Sequence, residues 1–230
     1  MAKEVIPGVF RIGGAGSNAF LLAVDELVLI DTHLTNRLPK LLDAVREAGR
    51  TPLDVHHIAV THYHTDHAGS LAAAAKTTGG RVYAHAVDAD LLRTGGRPPV
   101  RPIGRGKVVL PVFWAVLRNH FEGATVDQEV SDGDEIGSTG LRVIHTPGHT
   151  MGHVSFLWPE RGGVLFVGDA VANDLLRLNF GYAAEDIESS KRSLRKLAGF
   201  DFETALFGHG RTITSNASTR FRREVDRLAG

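Results

Sequence analysis

The chain has 230 residues, its 26 Lys and Arg cancel its 26 Asp and Glu, and it holds 12 His and no Cys. That length supports one substantial core, and 43% apolar with 23% charged residues is the composition of an ordinary globular protein. Zero net charge argues against a generalised nucleic-acid surface; the lack of Cys removes disulfides, thiolate zinc sites, iron–sulfur clusters and a Cys nucleophile, so a metal must sit on His, Asp or Glu.

The first residues, Met1 to Gly8, lack the basic and apolar regions of a secretory signal, so the cytoplasm is the expected location. Val9 to Ile12, Asn18 to Val24 and Leu27 to Ile30, parted by glycines 13, 14 and 16 and by Asp25-Glu26, read as a β-meander. Leu38, Leu41, Leu42 and Val45 have helical spacing within Arg37 to Gly49, where Gly49 suits a helix stop. A short strand, Ile58 to Val60, precedes an Ala-rich helix, Ala68 to Thr78; a strand over Arg81 to Ala84 and a helix over Ala86 to Arg93 follow. Gly95, Gly96, Pro98, Pro99, Pro102, Gly104 and Gly106 mark an irregular loop. The apolar run Val108 to Leu117, containing Pro111, is about half the length needed to cross a bilayer. Strands return at Leu141 to His145, Val154 to Leu157, Val164 to Val167 and Thr204 to Phe207, with helices over Glu185 to Ala198 and Ala217 to Leu228. Strands fall in two sets, each followed by helices, with no repeat and no linker. One domain over residues 1–230 is expected.

The densest chemistry is Thr61-His62-Tyr63-His64-Thr65-Asp66-His67, between a buried strand and a helix. Residues two apart in an extended segment project to one side, so His62 and His64 can face one cation. Asp66 and His67, entering the helix, turn toward a second position nearby. The plainer reading makes Asp66 a helix N-cap in a polar loop. Three other strands end in a glycine with a His or Asp close by: Pro147-Gly148-His149, Gly168-Asp169 and Gly208-His209. One Gly-Asp turn is usually only a turn, but four strand ends delivering His and Asp are hard to dismiss.

In this order, Asp31, His62-x-His64-x-Asp66-His67, His149, Asp169 and His209, the chain resembles the metallo-β-lactamase superfamily from about residue 8 to 215. The resemblance implies an α/β (α+β) chain folded as a four-layer αββα sandwich of two similar halves, with the metals at one edge. It implies that His62, His64 and His149 hold one metal, that Asp66, His67 and His209 hold a second, and that Asp169 bridges them. Asp31 would tie the ligand loops together and His153 would stand behind the ligands. Two divalent ions are expected, zinc foremost, with iron or manganese as alternatives; imidazole and carboxylate donors suit all three. A hydroxide shared by the two ions would attack a polarised carbonyl or phosphoryl centre, with Asp66 orienting it and passing its proton on.

Other residues carry weaker readings. Tyr182 could donate a hydrogen bond to a developing oxyanion, although packing is the plainer role. His33, His56, His57, His85, His120 and His145 lack ligand spacing and read as surface or satisfied core residues. The run Val108 to Leu117, with Phe113 and Trp114, reads as a buried helix or a homodimer contact, or else as a roof over the cleft. Within the superfamily, a bridging Asp169 and no signal weigh against a β-lactamase. The short stretch after His209 weighs against the extra helical domain of glyoxalase II, and the neutral charge against nucleases. A hydrolase of ester, thioester or lactone bonds in small molecules is expected, with neither nucleic acid nor membrane as partner. The alternatives are a persulfide dioxygenase-like oxidoreductase with one iron on His62, His149 and Asp169, and a non-catalytic binding module.

Overall fold

A computed structural model describes residues 2–14, 16–117, 119–174 and 177–230. Its strands and helices, in chain order, are β1 (Lys3–Ile6), β2 (Val9–Gly14), β3 (Ser17–Leu22), β4 (Leu27–Ile30), α1 (Leu38–Glu47), β5 (Val55–Ala59), α2 (Thr65–Ala68) and α3 (Leu71–Thr78). They continue with β6 (Arg81–His85), α4 (Ala86–Thr94), β7 (Gly95–Gly96), α5 (Gly106–Leu117), β8 (Phe121–Glu122), β9 (Gln128–Val130) and β10 (Arg142–His145). The last are β11 (Val154–Trp158), β12 (Val164–Gly168), α6 (Ile187–Ala198), β13 (Thr204–Phe207) and α7 (Ala217–Ala229).

The strands form a seven-stranded sheet in the order β1-β2-β3-β4-β5-β6-β9 and a four-stranded sheet in the order β10-β11-β12-β13, with β7 and β8 a separate pair. The large sheet runs antiparallel from β1 to β4 and parallel from β4 through β5 and β6 to β9. Three apolar clusters bind the layers. In β4, Leu27 and Leu29 pack with Leu41 and Val45 of α1 and Leu71 of α3, while Val28 and Ile30 face the other sheet. In β12, Val164 and Phe166 join that inter-sheet cluster, and Leu165 and Val167 pack with Leu194 of α6 and Phe221 of α7. Alternate residues of one strand thus feed two cores, so both faces are covered and the strands read as continuous apolar runs. The result is helices, sheet, sheet, helices: the expected four layers.

Helix ends follow their local chemistry. Gly79 closes α3 in the left-handed region (φ +73°), and the Asp186 side chain accepts the Glu188 N–H at the start of α6. The predicted helix Ala68 to Thr78 is broken into α2 and α3, because the chain bends at Gly69-Ser70, where Gly69 packs directly on the Leu34-Thr35 backbone. Two strands had no sequence signal. β1 and β9 are the edges of the large sheet, and they lack the continuous apolar run of a strand covered on both faces. The glycine-rich segment also contains the short β7, which pairs with β8.

The run Val108 to Leu117 lies in α5, and its described valines are exposed. Val108 is 74% and Val112 67% exposed. The side chains of Phe113 and Trp114 lie outside the described residues.

Candidate metal centre

The candidate ligands follow the C-terminal ends of β5, β10, β12 and β13, at one edge of the two sheets. That edge is stitched across the layers: the Asn18 N–H donates to Gly208 O at 2.7 Å and the Val154 N–H to Thr61 O at 2.9 Å. Glycines next to the ligands are required for two different reasons. Gly168 turns the chain at φ +57° before Asp169, as its position after a strand suggested. Gly208 is needed for space, since a Cβ there would collide with the Asp169 carboxylate and crowd the His67 ring.

The ring nitrogens converge. His64 Nδ1 stands 3.1 Å from His62 Nε2 and 2.9 Å from His149 Nε2. His209 Nε2 stands 3.3 Å from His67 Nε2 and 3.2 Å from Asp66 Oδ2. Asp169 lies between the groups, with Oδ1 3.4 Å from His67 Nε2 and Oδ2 3.5 Å from His149 Nε2 and 3.0 Å from His209 Nε2. Three triads therefore have donor atoms close enough for one ion each: His62, His64 and His149; His62, His67 and Asp169; Asp66, His67 and His209. All seven candidates meet at one place. Asp66 is not the N-cap of α2; His64 takes that position.

Four of these imidazoles have their far nitrogen held, which aims the near one at the site. His67 Nδ1 donates to Asp31 Oδ2 at 2.8 Å, His149 Nδ1 to Ala183 O at 2.9 Å, and His209 Nδ1 to Gly16 O at 2.7 Å. His62 Nδ1 donates to Thr61 Oγ1 at 2.9 Å, and that hydroxyl in turn donates to the Asp31 carboxylate. Asp31, buried and held at φ +60°, also accepts the Thr61 N–H at 2.8 Å. It joins the loop after β4 to the loop after β5. His153 stands behind the ligands, as the resemblance implies. Its Nε2 accepts the Asp169 N–H at 2.9 Å, so the ring is neutral, with its proton on Nδ1 toward Thr146 Oγ1. That backbone contact occupies the nitrogen a metal would need.

The electrostatics divide the site. Burial and neighbouring histidines push His62 well below its ordinary value; burial lowers His64 to about 4 and His149 to about 3, leaving three neutral imidazoles. Burial opposes a proton on His67 as well, but the carboxylates of Asp169, Asp66 and Asp31 outweigh it and raise this group to about 10. His209 is raised for the same reason by Asp169 and Asp66. Burial would raise the carboxyls of Asp66 and Asp169, yet His67 and His209 hold both well below the usual range. The chain alone thus gathers protonated imidazoles around carboxylates, a charge density that divalent cations can replace. Asp169 Oδ1 is buried and accepts no hydrogen bond among the described residues, an acceptor that a cation would satisfy. The residues fit a metal centre on these grounds.

A cavity of about 390 Å³ opens onto His64, Asp66, His149, Asp169 and His209. The rest of its lining is mostly apolar, with Val109, Leu110 and Phe180 among its residues. α5 therefore borders the cleft, which favours the roof over the buried helix. Tyr182 lines the same cavity and is 43% exposed. Of the six histidines without ligand spacing, His33 hydrogen-bonds Ser17 Oγ, His57 hydrogen-bonds Tyr83 and Glu26, and His85 stacks on His145 at 4.1 Å.

One acid had no sequence signal. Asp88, in the first turn of α4, is buried and accepts the Thr150 hydroxyl at 2.8 Å and the N–H groups of Gly152 (3.0 Å) and Tyr63 (3.3 Å). It clamps the His149 loop to the His62–His64 loop. Burial raises its carboxyl to about 7, with the three donors pulling the other way. The folded chain then takes up this proton near pH 7, and the unfolded chain only near pH 4. Stability is gained as pH falls through that window and lost as it rises, by on the order of 1 kcal/mol per pH unit. Urea midpoints across it are expected to shift less in Asp88→Asn than in the parent; an unchanged slope would exclude Asp88 as the cause.

The family profile described as "Metallo-beta-lactamase superfamily" matches residues 12–209. The "Probable metallo-hydrolase YflN" of Bacillus subtilis is 29% identical over 98% of this chain and 91% of its own length. "Thioesterase pkgB" of Emericella nidulans is 29% identical over 97% of this chain, which spans only 54% of that protein. The fold of a Cronobacter sakazakii metallo-β-lactamase with a HARLDQ motif superimposes with a TM-score of 0.76 at 22% identity, covering 99% of this chain and 94% of that one. With the family profile spanning both sheets and every candidate ligand from His62 to His209, the chain belongs to the metallo-β-lactamase superfamily.

Proposed function

We propose that the chain is a hydrolase of ester, thioester or lactone bonds in small molecules, working with two divalent ions, zinc foremost. The observation that carries this reading is the convergence of seven His and Asp donors in three overlapping triads, with five of the seven donors lining a cavity that Val109, Leu110 and Phe180 also line. An acyl group fits the apolar side while its carbonyl faces the donors. When bound, divalent ions supply Lewis acidity and bring the ionisation of water toward neutral pH. His62, His64 and His149 would hold one ion and Asp66, His67 and His209 the other, with Asp169 between them. Asp66 borders the cavity, and its carboxylate is the acceptor for the proton released from the attacking water. Tyr182 is available to donate its phenol proton to the substrate's developing oxyanion. A relative named as a thioesterase agrees with the bond class.

The test is a panel of simple esters, thioesters, lactones, phosphodiesters and a β-lactam, run with and without chelator beside metal analysis. Turnover of the first three is expected to vanish on chelation and return with zinc. Asp66→Ala is expected to slow it by about 10²- to 10⁴-fold. Activity indifferent to chelation would overturn the reading, and one iron per chain with oxygen uptake would replace it with a dioxygenase.

A further inference from the structure

The zero net charge of the chain conceals a segregated segment. Residues 97–121 hold five cations, Arg97, Arg101, Arg105, Lys107 and Arg118, and no Asp or Glu. Arg97, Arg101, Arg105 and Lys107 are exposed, and among the described residues none has an ion-pair partner. Arg105 and Lys107 flank the first residue of α5, where the helix dipole disfavours positive charge, and no acid offsets them there. Helix stability therefore does not account for them.

The same helix exposes apolar side chains. Val108 and Val112, four residues apart, share one side and are largely in solvent, with Val109 42% exposed beside them. Exposed cations preceding and opening a helix that exposes apolar side chains are the combination that suits a bilayer interface, with the apolar side dipped below anionic headgroups. Among the described residues no helix is long and apolar enough to cross a membrane.

We infer that the face made by Arg97, Arg101, Arg105, Lys107 and the exposed valines of α5 docks on an anionic lipid surface. Charge complementarity selects this occupant. Two copies meeting through this face by a two-fold axis would bring together eight unpaired cations with no acid from the segment. An anionic bilayer satisfies the cations and covers the valines together. Docking would also bring the lipid next to the cavity, because Val109 and Leu110 line it from the same helix. The face is tied to the candidate ligands as well. Ile103 N–H donates to Tyr182 O and Ala184 N–H to Arg101 O, bracketing Ala183, whose carbonyl holds His149.

The experiment is co-sedimentation of the full chain with vesicles of phosphatidylcholine alone and of phosphatidylcholine with phosphatidylglycerol, at low and high salt. Binding to the mixed vesicles, release by salt and no binding to phosphatidylcholine alone are expected. The R101E/R105E/K107E variant is expected to lower the partition coefficient at least about tenfold. V108D/V112D, which keeps the cations, is expected to lower it as well, with circular dichroism and melting temperature checking that both variants fold. Equal sedimentation with and without the anionic lipid, or wild-type partitioning by the charge-reversed protein, would overturn the inference. A concentration-dependent dimer that V108D/V112D dissociates, without vesicle binding, would give the face to a second copy instead. None of these readouts depends on metal or turnover, so the hydrolase reading stands or falls separately.

Discussion

Asp169→Asn is expected to abolish stable binding of at least one divalent ion and to reduce turnover by more than about 100-fold. The carboxylate reaches donors of both outer triads, standing 3.5 Å from His149 and 3.0 Å from His209 through Oδ2 and 3.4 Å from His67 through Oδ1. Changing a group that merely supports a ligand costs about 10- to 100-fold in metal affinity, so loss of the central carboxylate should exceed that range. Asparagine keeps the volume and the backbone N–H to His153, which confines the change to charge and donor type. Metal content after gel filtration, measured with turnover on the best ester, is the check. A variant that keeps the wild-type complement of metal and full turnover would remove Asp169 from the centre.

The second large effect is structural. Asp31→Ala is expected to destabilise the metal-free fold by about 3 kcal/mol, because it strands three buried donors: the Thr61 N–H, the Thr61 hydroxyl and the His67 Nδ1–H. His67 would also lose the partner that keeps Nε2 turned to the site, so metal affinity should fall about 10- to 100-fold as well. Asp31→Asn, which retains one acceptor oxygen, should lose less. Urea unfolding of the metal-free proteins separates the stability effect from the affinity effect; a midpoint unchanged in Asp31→Ala would show that Asp31 ties nothing together.

The ligand run after β5 was legible because its signal is local. His62, His64, Asp66 and His67 lie within six residues, and extended geometry followed by a helical turn already aims them at neighbouring positions. The isolated His149, Asp169 and His209 were legible as strand-end residues, and the resemblance to the superfamily joined them to the run. Asp88 was invisible by contrast. It is one acid in the first turn of a surface-type helix, and its partners Thr150 and Gly152 are more than sixty positions away. No periodicity encodes that contact.

The strands showed the same division. β4, β12 and β13 announced themselves as short apolar runs because each is covered on both faces, whereas β1 and β9 at the sheet edges carry no such pattern. The apolar run Val108 to Leu117 misled in one respect. Hydrophobicity suggested burial, but the helix lies at the rim of the cleft with valines in solvent and Val109 and Leu110 over the cavity.

The absence of cysteine and the twelve histidines pointed by themselves to a metal centre built of nitrogen and oxygen donors, since no thiolate is present. Only the tertiary structure decided which histidines share a site, which ring nitrogen each presents, and that Asp169 stands between the groups. Those facts depend on the meeting of two sheets at one edge. They also depend on carbonyls such as Gly16 and Ala183 that fix the rings from distant parts of the chain. The tertiary structure also showed that the neutral chain carries an unbalanced basic segment beside an exposed apolar helix. Composition averages charge over the whole molecule, and only folding assigns it to a face.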